Sequence, residues 1–194
     1  MNGNIAGLFG LSLFVVIAFS YESAFWEAID EWAAKMLEGN TLLSAFHVIG
    51  NTDMIIGLTL LCSVYMVLHK KAWLPALFSI FVVASGHSLN QLLKSIFTRP
   101  RPDVAGQLTS YSFPSGHSMV TTICLFTLIF VLQQQFFKLK RLYFIYAGAF
   151  TIVVLVALSR VAETRHYFTD VIAGISLGVA CVVAAAYVYK KIIH

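Results

Sequence analysis

The sequence predicts an all-α fold, a bundle of six membrane-spanning helices with an amphipathic helix on its outer side between spans one and two. Three observations lead there. Of the 194 residues, 59% are hydrophobic and only 11% are charged, whereas a soluble domain carries roughly a quarter charged residues. Six apolar segments, approximately 4–21, 54–68, 73–97, 117–137, 142–159 and 168–189, approach the roughly 20 residues a helix needs to cross the hydrocarbon. The basic clusters HKK (69–71), KLKR (138–141) and YKK (189–191) all fall on one side if both termini are cytoplasmic, as the positive-inside rule prefers.

The first segment has no Lys or Arg before it, so it reads as a retained helix rather than a signal peptide. Residues 22–39 then face outward. Phe25, Ile29, Trp32, Ala33 and Met36 gather near one helical face, with Glu27, Asp30, Glu31 and Glu38 on others, the pattern of a helix lying in the interface with its aromatic side toward lipid. The segment 54–68 is short, and Leu42 to Asp53 extends it. No soluble domain, long linker or low-complexity tract interrupts the chain, so residues 1–194 read as one integral membrane domain. Cys62, Cys124 and Cys181 lie inside apolar runs and read as small hydrophobes, not as a disulfide framework or metal site. The net charge of +4 is placed in loops and polar clusters and does not indicate a nucleic-acid partner.

The outer loops at 98–116 and 160–167 carry cations, against the orientation rule, so those cations need another purpose. At the end of the third segment, His87, Asn90, Gln91 and Lys94 fall on one helical stripe. Polar groups are costly in lipid, so this stripe should face the bundle interior or a wet cavity. Arg99 and Arg101 follow, stiffened by Pro100 and Pro102. In the stretch Pro114-Ser115-Gly116-His117, the proline ends any preceding helix, Ser115 is a favoured N-cap and Gly116 leaves room for a ligand. A helix starting there directs free N–H groups and partial positive charge into the outer loop, a ready anion site. In the third cluster, Arg160 and Arg165 add charge, and His166 stands four residues before Asp170. The carboxylate can accept from one imidazole nitrogen and leave the other unprotonated. Gly174 and Gly178 continue that stripe with small-xxx-small spacing for close helix packing.

Cations, a helix N-terminus, two histidines and an orienting carboxylate at one membrane face suit phosphoryl transfer, where positioning and charge stabilisation do most of the work. No HExxH motif, aspartate pair or cysteine cluster offers a metal site, and no cofactor is expected.

These residues resemble the type 2 phosphatidic acid phosphatase family, which shares its site with vanadium haloperoxidases. The signature Lys-x6-Arg-Pro stands here as Lys94 through Arg101-Pro102, Pro-Ser-Gly-His as residues 114–117, and Ser-Arg-x5-His-x3-Asp as Ser159-Arg160 through His166 to Asp170. No position departs from the pattern, and the match spans residues 94–170. In length and layout the chain is similar to the family's small bacterial phosphatidylglycerophosphatases of the B type. The resemblance implies that Lys94, Arg101 and Arg160 hold phosphate oxygens with help from Ser115 and Gly116. It implies that His166 is the nucleophile, forming a phosphohistidine, that Asp170 orients it, and that His117 is the acid and base.

The expected reaction is hydrolysis of the terminal phosphate of phosphatidylglycerophosphate at the outer face of the plasma membrane. Undecaprenyl diphosphate and phosphatidic acid remain as alternative lipid phosphates, with the first favoured by an outward site. An anion or lipid transporter is the rival from another class, but the charges gather at helix ends and no internal repeat is present. Oligomeric state has no signature in the sequence, and the resemblance gives no role to His87, Asn90, Gln91, Arg99 or Arg165.

Overall fold

The computed structural model describes residues 3–136 and 142–193, which excludes the basic cluster expected at 138–141. The described residues fold into helices α1 (Gly3–Ala18), α2 (Ala24–Leu37), α3 (Thr41–Ser44), a 3-10 turn (Ala45–Gly50), α4 (Thr52–Lys70), α5 (Trp73–Phe97), α6 (Gly116–Phe136), α7 (Leu142–Ala162) and α8 (Phe168–Ile193). No strand occurs among them.

Helices α4 to α8 are each long and apolar enough to cross a membrane. Their outer faces expose large apolar side chains, among them Leu61 and Leu68 of α4, Phe81 of α5 and Phe150 of α7. Water would not tolerate such continuous apolar cover, so lipid is the solvent there and the protein is a multi-pass membrane protein. Helix α1 is also apolar, but its 16 residues reach only about 24 Å at 1.5 Å per residue.

Local chemistry sets the ends that matter for the site. Helix α5 stops at Thr98, whose backbone is left-handed (φ 46°) and whose N–H closes onto the Lys94 carbonyl. Pro100 and Pro102 then keep the chain extended into the loop. Ahead of α6, Phe113 is fully buried in an aromatic cluster, with ring centroids 5.9 Å from Phe14, 5.2 Å from Tyr21 and 5.0 Å from Phe97. That anchor ties the residue before Pro114 to both α1 and α5, which fixes where α6 begins.

Helix α8 packs along both α1 and α6. Its approach to α6 is close enough to require glycine. A Cβ on Gly174 would stand 2.6 Å from the Ser115 carbonyl oxygen, and one on Gly178 would stand 2.8 Å from Thr122 Cβ. The small-residue spacing thus brings the His166–Asp170 end of α8 against the first turn of α6.

Helix α2 corrects one detail of the sequence reading. Phe25, Trp32 and Met36 are exposed, but Asp30, expected on an outward polar face, is buried, as is Ala33. Ala33 packs against Ala157 and Val161 of α7 and Val171 of α8. Asp30 is drawn inward because its partners lie on α8 and in the loop after α5.

Candidate active site

A cavity of about 510 Å³ opens between α4, α5, α6 and the two loops that follow α5 and α7. Lys94, Arg101, Gly116, His117, Arg160 and His166 all line it, so residues from the three sequence motifs meet around one space. Lys94 and Arg160 are buried, at 8% and 5% exposure. Among the described residues no carboxylate pairs with Lys94, and the Arg160 Nε has no hydrogen-bond partner. A buried cation without a counterion, such as Lys94, and a buried guanidinium N–H without an acceptor, such as the Arg160 Nε, are costly unless an anion enters the cavity.

His166 is 3% exposed and held from both sides. Its Nδ1 lies 3.2 Å from Asp170 Oδ2, and its Nε2 lies 3.3 Å from Arg101 Nη1. A guanidinium can only donate, so Nε2 is the acceptor and the ring proton sits on Nδ1, donated to Asp170. The nitrogen next to the cations is therefore unprotonated, its lone pair turned toward Arg101. Burial first, and then the positive charges of Arg101 and Lys94, hold the imidazole pKa down to about 4 despite the opposing pull of Asp170. His166 is neutral at physiological pH.

Asp170 is fully buried and its oxygens are fully used. Oδ2 also accepts from the Tyr167 N–H at 3.0 Å, and Oδ1 accepts from Arg99 Nη1 at 2.7 Å. Arg99 thus turns away from the cavity, unlike Arg101. Its Nη1 donates to Thr169 Oγ1 at 2.7 Å and its Nη2 to Asp30 Oδ2 at 3.0 Å. The guanidinium also lies over the rings of Tyr21 and Tyr167, 4.6 and 4.0 Å from their centroids. Asp30 completes the chain by accepting from the Thr169 N–H at 2.7 Å and the Thr169 hydroxyl at 2.8 Å. A carboxylate from α2 therefore sits at the N-terminus of α8, where helix polarity favours it.

Arg101 is aimed by the loops around it. Its Nε donates to the Ser110 carbonyl at 2.7 Å and its Nη1 to the Arg165 carbonyl at 2.5 Å. Arg165 itself does not join the cavity; its Nη1 donates to the Gly106 carbonyl and to Gln107 Oε1, tying the two outer loops together. Arg160 pairs with Glu163, whose other oxygen lies 2.9 Å from His47 Nδ1.

In the second motif, Ser115 is set back from the cavity. Counted from sequence among the phosphate-binding residues, it is fully buried and does not line the cavity. Its N–H donates to the Asp170 carbonyl at 3.0 Å, and its Oγ accepts from the Ser118 hydroxyl at 3.0 Å. It caps and docks α6, leaving the first helical N–H groups, at Gly116 and His117, to face a ligand. Gly116 lines the cavity, and a Cβ there would meet Asn90 Oδ1 at 2.8 Å. Asn90 in turn donates to the Pro114 carbonyl at 3.1 Å. The His117 Nε2 lies 3.0 Å from Asn51 Oδ1, so Nε2–H is the donor and Nδ1 is left free. Asn51 occupies the N-cap of α4 without a side-chain cap bond because that oxygen is committed to His117.

His47, Asn51 and Glu163 were not singled out in the sequence, and Asp30 was read only as part of an outward polar face. Only Glu163 had a local signal, three residues after Arg160 on the same helical face. The metal question has a simple structural side: no three His, Cys, Asp or Glu side chains cluster as metal ligands among the described residues.

Comparison with known proteins agrees with this geometry. The PAP2 superfamily model matches residues 72–193. The chain is 33% identical over 158 residues to phosphatidylglycerophosphatase B of Bacillus subtilis, covering 78% of this chain and 77% of that protein. It superposes on the crystal structure of a transmembrane PAP2-type phosphatidylglycerolphosphate phosphatase from Bacillus subtilis with a TM-score of 0.85 at 26% identity, covering 96% of this chain and 98% of that one. The chain belongs to the PAP2 superfamily and is a membrane phosphatase acting on lipid phosphate.

Proposed function

We propose that the protein hydrolyses the terminal phosphate of phosphatidylglycerophosphate, releasing phosphatidylglycerol and inorganic phosphate through a phosphohistidine. The observation that carries this is the state of His166: Nδ1 held by Asp170 and Nε2 unprotonated beside Arg101, in a cavity also lined by Lys94, which has no carboxylate partner among the described residues, and by Arg160, whose Nε has no hydrogen-bond partner. The Bacillus subtilis relatives lend the substrate by name. The headgroup enters with its phosphate oxygens among Lys94, Arg101, Arg160 and the N–H groups at the start of α6. His166 Nε2 attacks phosphorus as the bond to the glycerol oxygen breaks. That oxygen takes a proton from His117, whose Nε2 is occupied by Asn51, so the exchanged proton rides on Nδ1. His117 then removes a proton from the water that attacks phosphorus; the phosphorus–nitrogen bond breaks with its electron pair returning to His166 Nε2, and inorganic phosphate leaves.

In this reading the whole chain is one domain with six spans, α1 included, and α2 rests at the outer surface. The site opens to the outer face, both termini are cytoplasmic, and no metal takes part. The test separates the histidines. With an aryl phosphate, whose leaving group needs no proton, His117→Ala should still release a burst of nitrophenol while losing lipid turnover. His166→Ala should give neither burst nor turnover. A burst from His166→Ala, with none from His117→Ala, would reverse the two roles.

A further inference from the structure

Resting on the reading above, we propose that His87 and Gln91 form a second subsite. It holds the inner phosphodiester of a glycerol-bridged bisphosphate headgroup while the outer phosphate reacts. The catalytic chemistry uses neither residue. His87 lies ten residues before the end of α5, about 15 Å along the helix and within the depth of the hydrocarbon. An imidazole and a carboxamide at that depth are costly against lipid. Both instead line the cavity and are open to it.

Their order along α5 matches the order of groups in such a lipid. The cavity-lining positions of α5 run Ile80, Val83 and Ala84, then His87, Ser88, Asn90 and Gln91, then Lys94, and Asn90 is already committed to the Pro114 carbonyl. Apolar side chains come at the inner end, uncharged or weakly basic donors in the middle, and the phosphate-holding cation at the outer end. Gln91 stands about 4.5 Å and His87 about 10.5 Å below Lys94 along the helix axis. The two phosphorus atoms of a glycerol-bridged pair are six covalent bonds apart, as are Cα atoms two residues apart, so about 7 Å at full extension. With the outer phosphate at the level of Lys94, the inner one falls between Gln91 and His87. The imidazole N–H and the carboxamide NH₂ can both donate to its oxygens. Phosphatidic acid has no second phosphate and would leave these donors with ester oxygens only.

The experiment compares phosphatidylglycerophosphate with phosphatidic acid of the same acyl chains, using the full-length protein in detergent micelles. His87→Leu and Gln91→Leu should each raise KM for phosphatidylglycerophosphate about tenfold, the value of a lost hydrogen bond to a charged oxygen, with kcat little changed. KM for phosphatidic acid should stay within about twofold, and His87→Gln should recover most of the loss by keeping a donor. Hydrolysis of an aryl phosphate at the wild-type rate would show that each variant is folded with its phosphate cradle intact. Equal KM increases for both lipids, or none for either, would overturn the subsite. If the wild-type protein released phosphate from phosphatidic acid but not from phosphatidylglycerophosphate, the functional reading would fail and the subsite with it.

Discussion

Arg99→Met is the substitution whose consequences the structure defines most fully. It keeps the length of the side chain but removes the cation between two buried carboxylates, Asp30 at 6% exposure and Asp170 at 0%. Removing one partner from a buried ion pair costs about 3–5 kcal/mol, because the remaining charge is left without compensation. For a chain of this size each kcal/mol is worth about 2–4 °C in Tm, so the midpoint should fall by roughly 10 °C. Activity should fall as well, at temperatures where the variant remains folded. Asp170 keeps its bonds to His166 and the Tyr167 N–H but loses the donor to its other oxygen. A displacement of about 1 Å in the group that orients the nucleophile is enough to lower kcat on the order of a hundredfold. Thermal unfolding in detergent gives the first quantity and aryl phosphate hydrolysis well below the midpoint gives the second. Asp30→Asn supplies the cross-check, since it removes the far carboxylate of the same chain. The double variant should be less damaged than the sum of the singles by 1 kcal/mol or more, as expected for residues sharing one network. Full additivity, or an Arg99→Met protein with wild-type midpoint and kcat, would refute the coupling.

Other outcomes follow from the same geometry. In the proposed mechanism His166 attacks in its neutral form, and its depressed pKa keeps it neutral as pH falls from 7 to 5; the acid limb, corrected for substrate ionisation, should then lie near pH 4 rather than near 6.5. The groups facing it are Arg101, Lys94 and Asp170, so loss of a cation by Arg101→Met should move that limb upward, and an unmoved limb would contradict the assignment. In a background without native cysteines, Thr109→Cys should react with a membrane-impermeant thiol reagent in intact cells and Lys190→Cys should not, the reverse pattern placing the site inside. Hydrolysis should proceed fully in excess EDTA and be inhibited by vanadate, because Lys94, Arg101, Arg160 and the α6 end supply the charge; loss in EDTA with recovery on Mg²⁺ would require a metal.

What the sequence disclosed, and what it withheld, divides along sequence separation and side-chain direction. The five spans α4 to α8 were legible because each is a long apolar run, and the boundary at Thr98 because prolines follow it. The third motif was legible because His166 and Asp170 are only four residues apart, although His166 lies just before α8 and reaches Asp170 from the turn whose Tyr167 N–H that carboxylate also accepts. Partners from distant chain had no such signature: Asp30 meets Thr169 across 139 positions and Asn51 meets His117 across 66. The surroundings of Ser115 were hidden for a related reason. Composition showed a hydroxyl at a helix start, but only the packing of α8, through Gly174, shows its N–H already given to Asp170.

The two arginines of the first motif show the same limit at its shortest range. Arg99 and Arg101 are both cations in one proline-rich stretch, and composition cannot tell them apart. The stretch 98–104 is neither helical nor turned, and in extended chain residues two apart point the same way only if the backbone does not twist between them. Pro100 stands between them, and the Ser112 hydroxyl donates to its carbonyl at 2.9 Å while the Ser112 N–H donates to the Arg99 carbonyl at 2.9 Å. Those bonds pin the backbone on both sides of Pro100, so one guanidinium turns behind α8 toward Asp170 and the other turns into the cavity toward His166. The same charge therefore acts in opposite senses on the nucleophile. Arg99 secures the acceptor at Nδ1, while Arg101 keeps a proton off Nε2. Arg99→Met and Arg101→Met would remove the same charge from the motif, yet the first takes a donor from Asp170 and the second takes the cation from beside His166 Nε2.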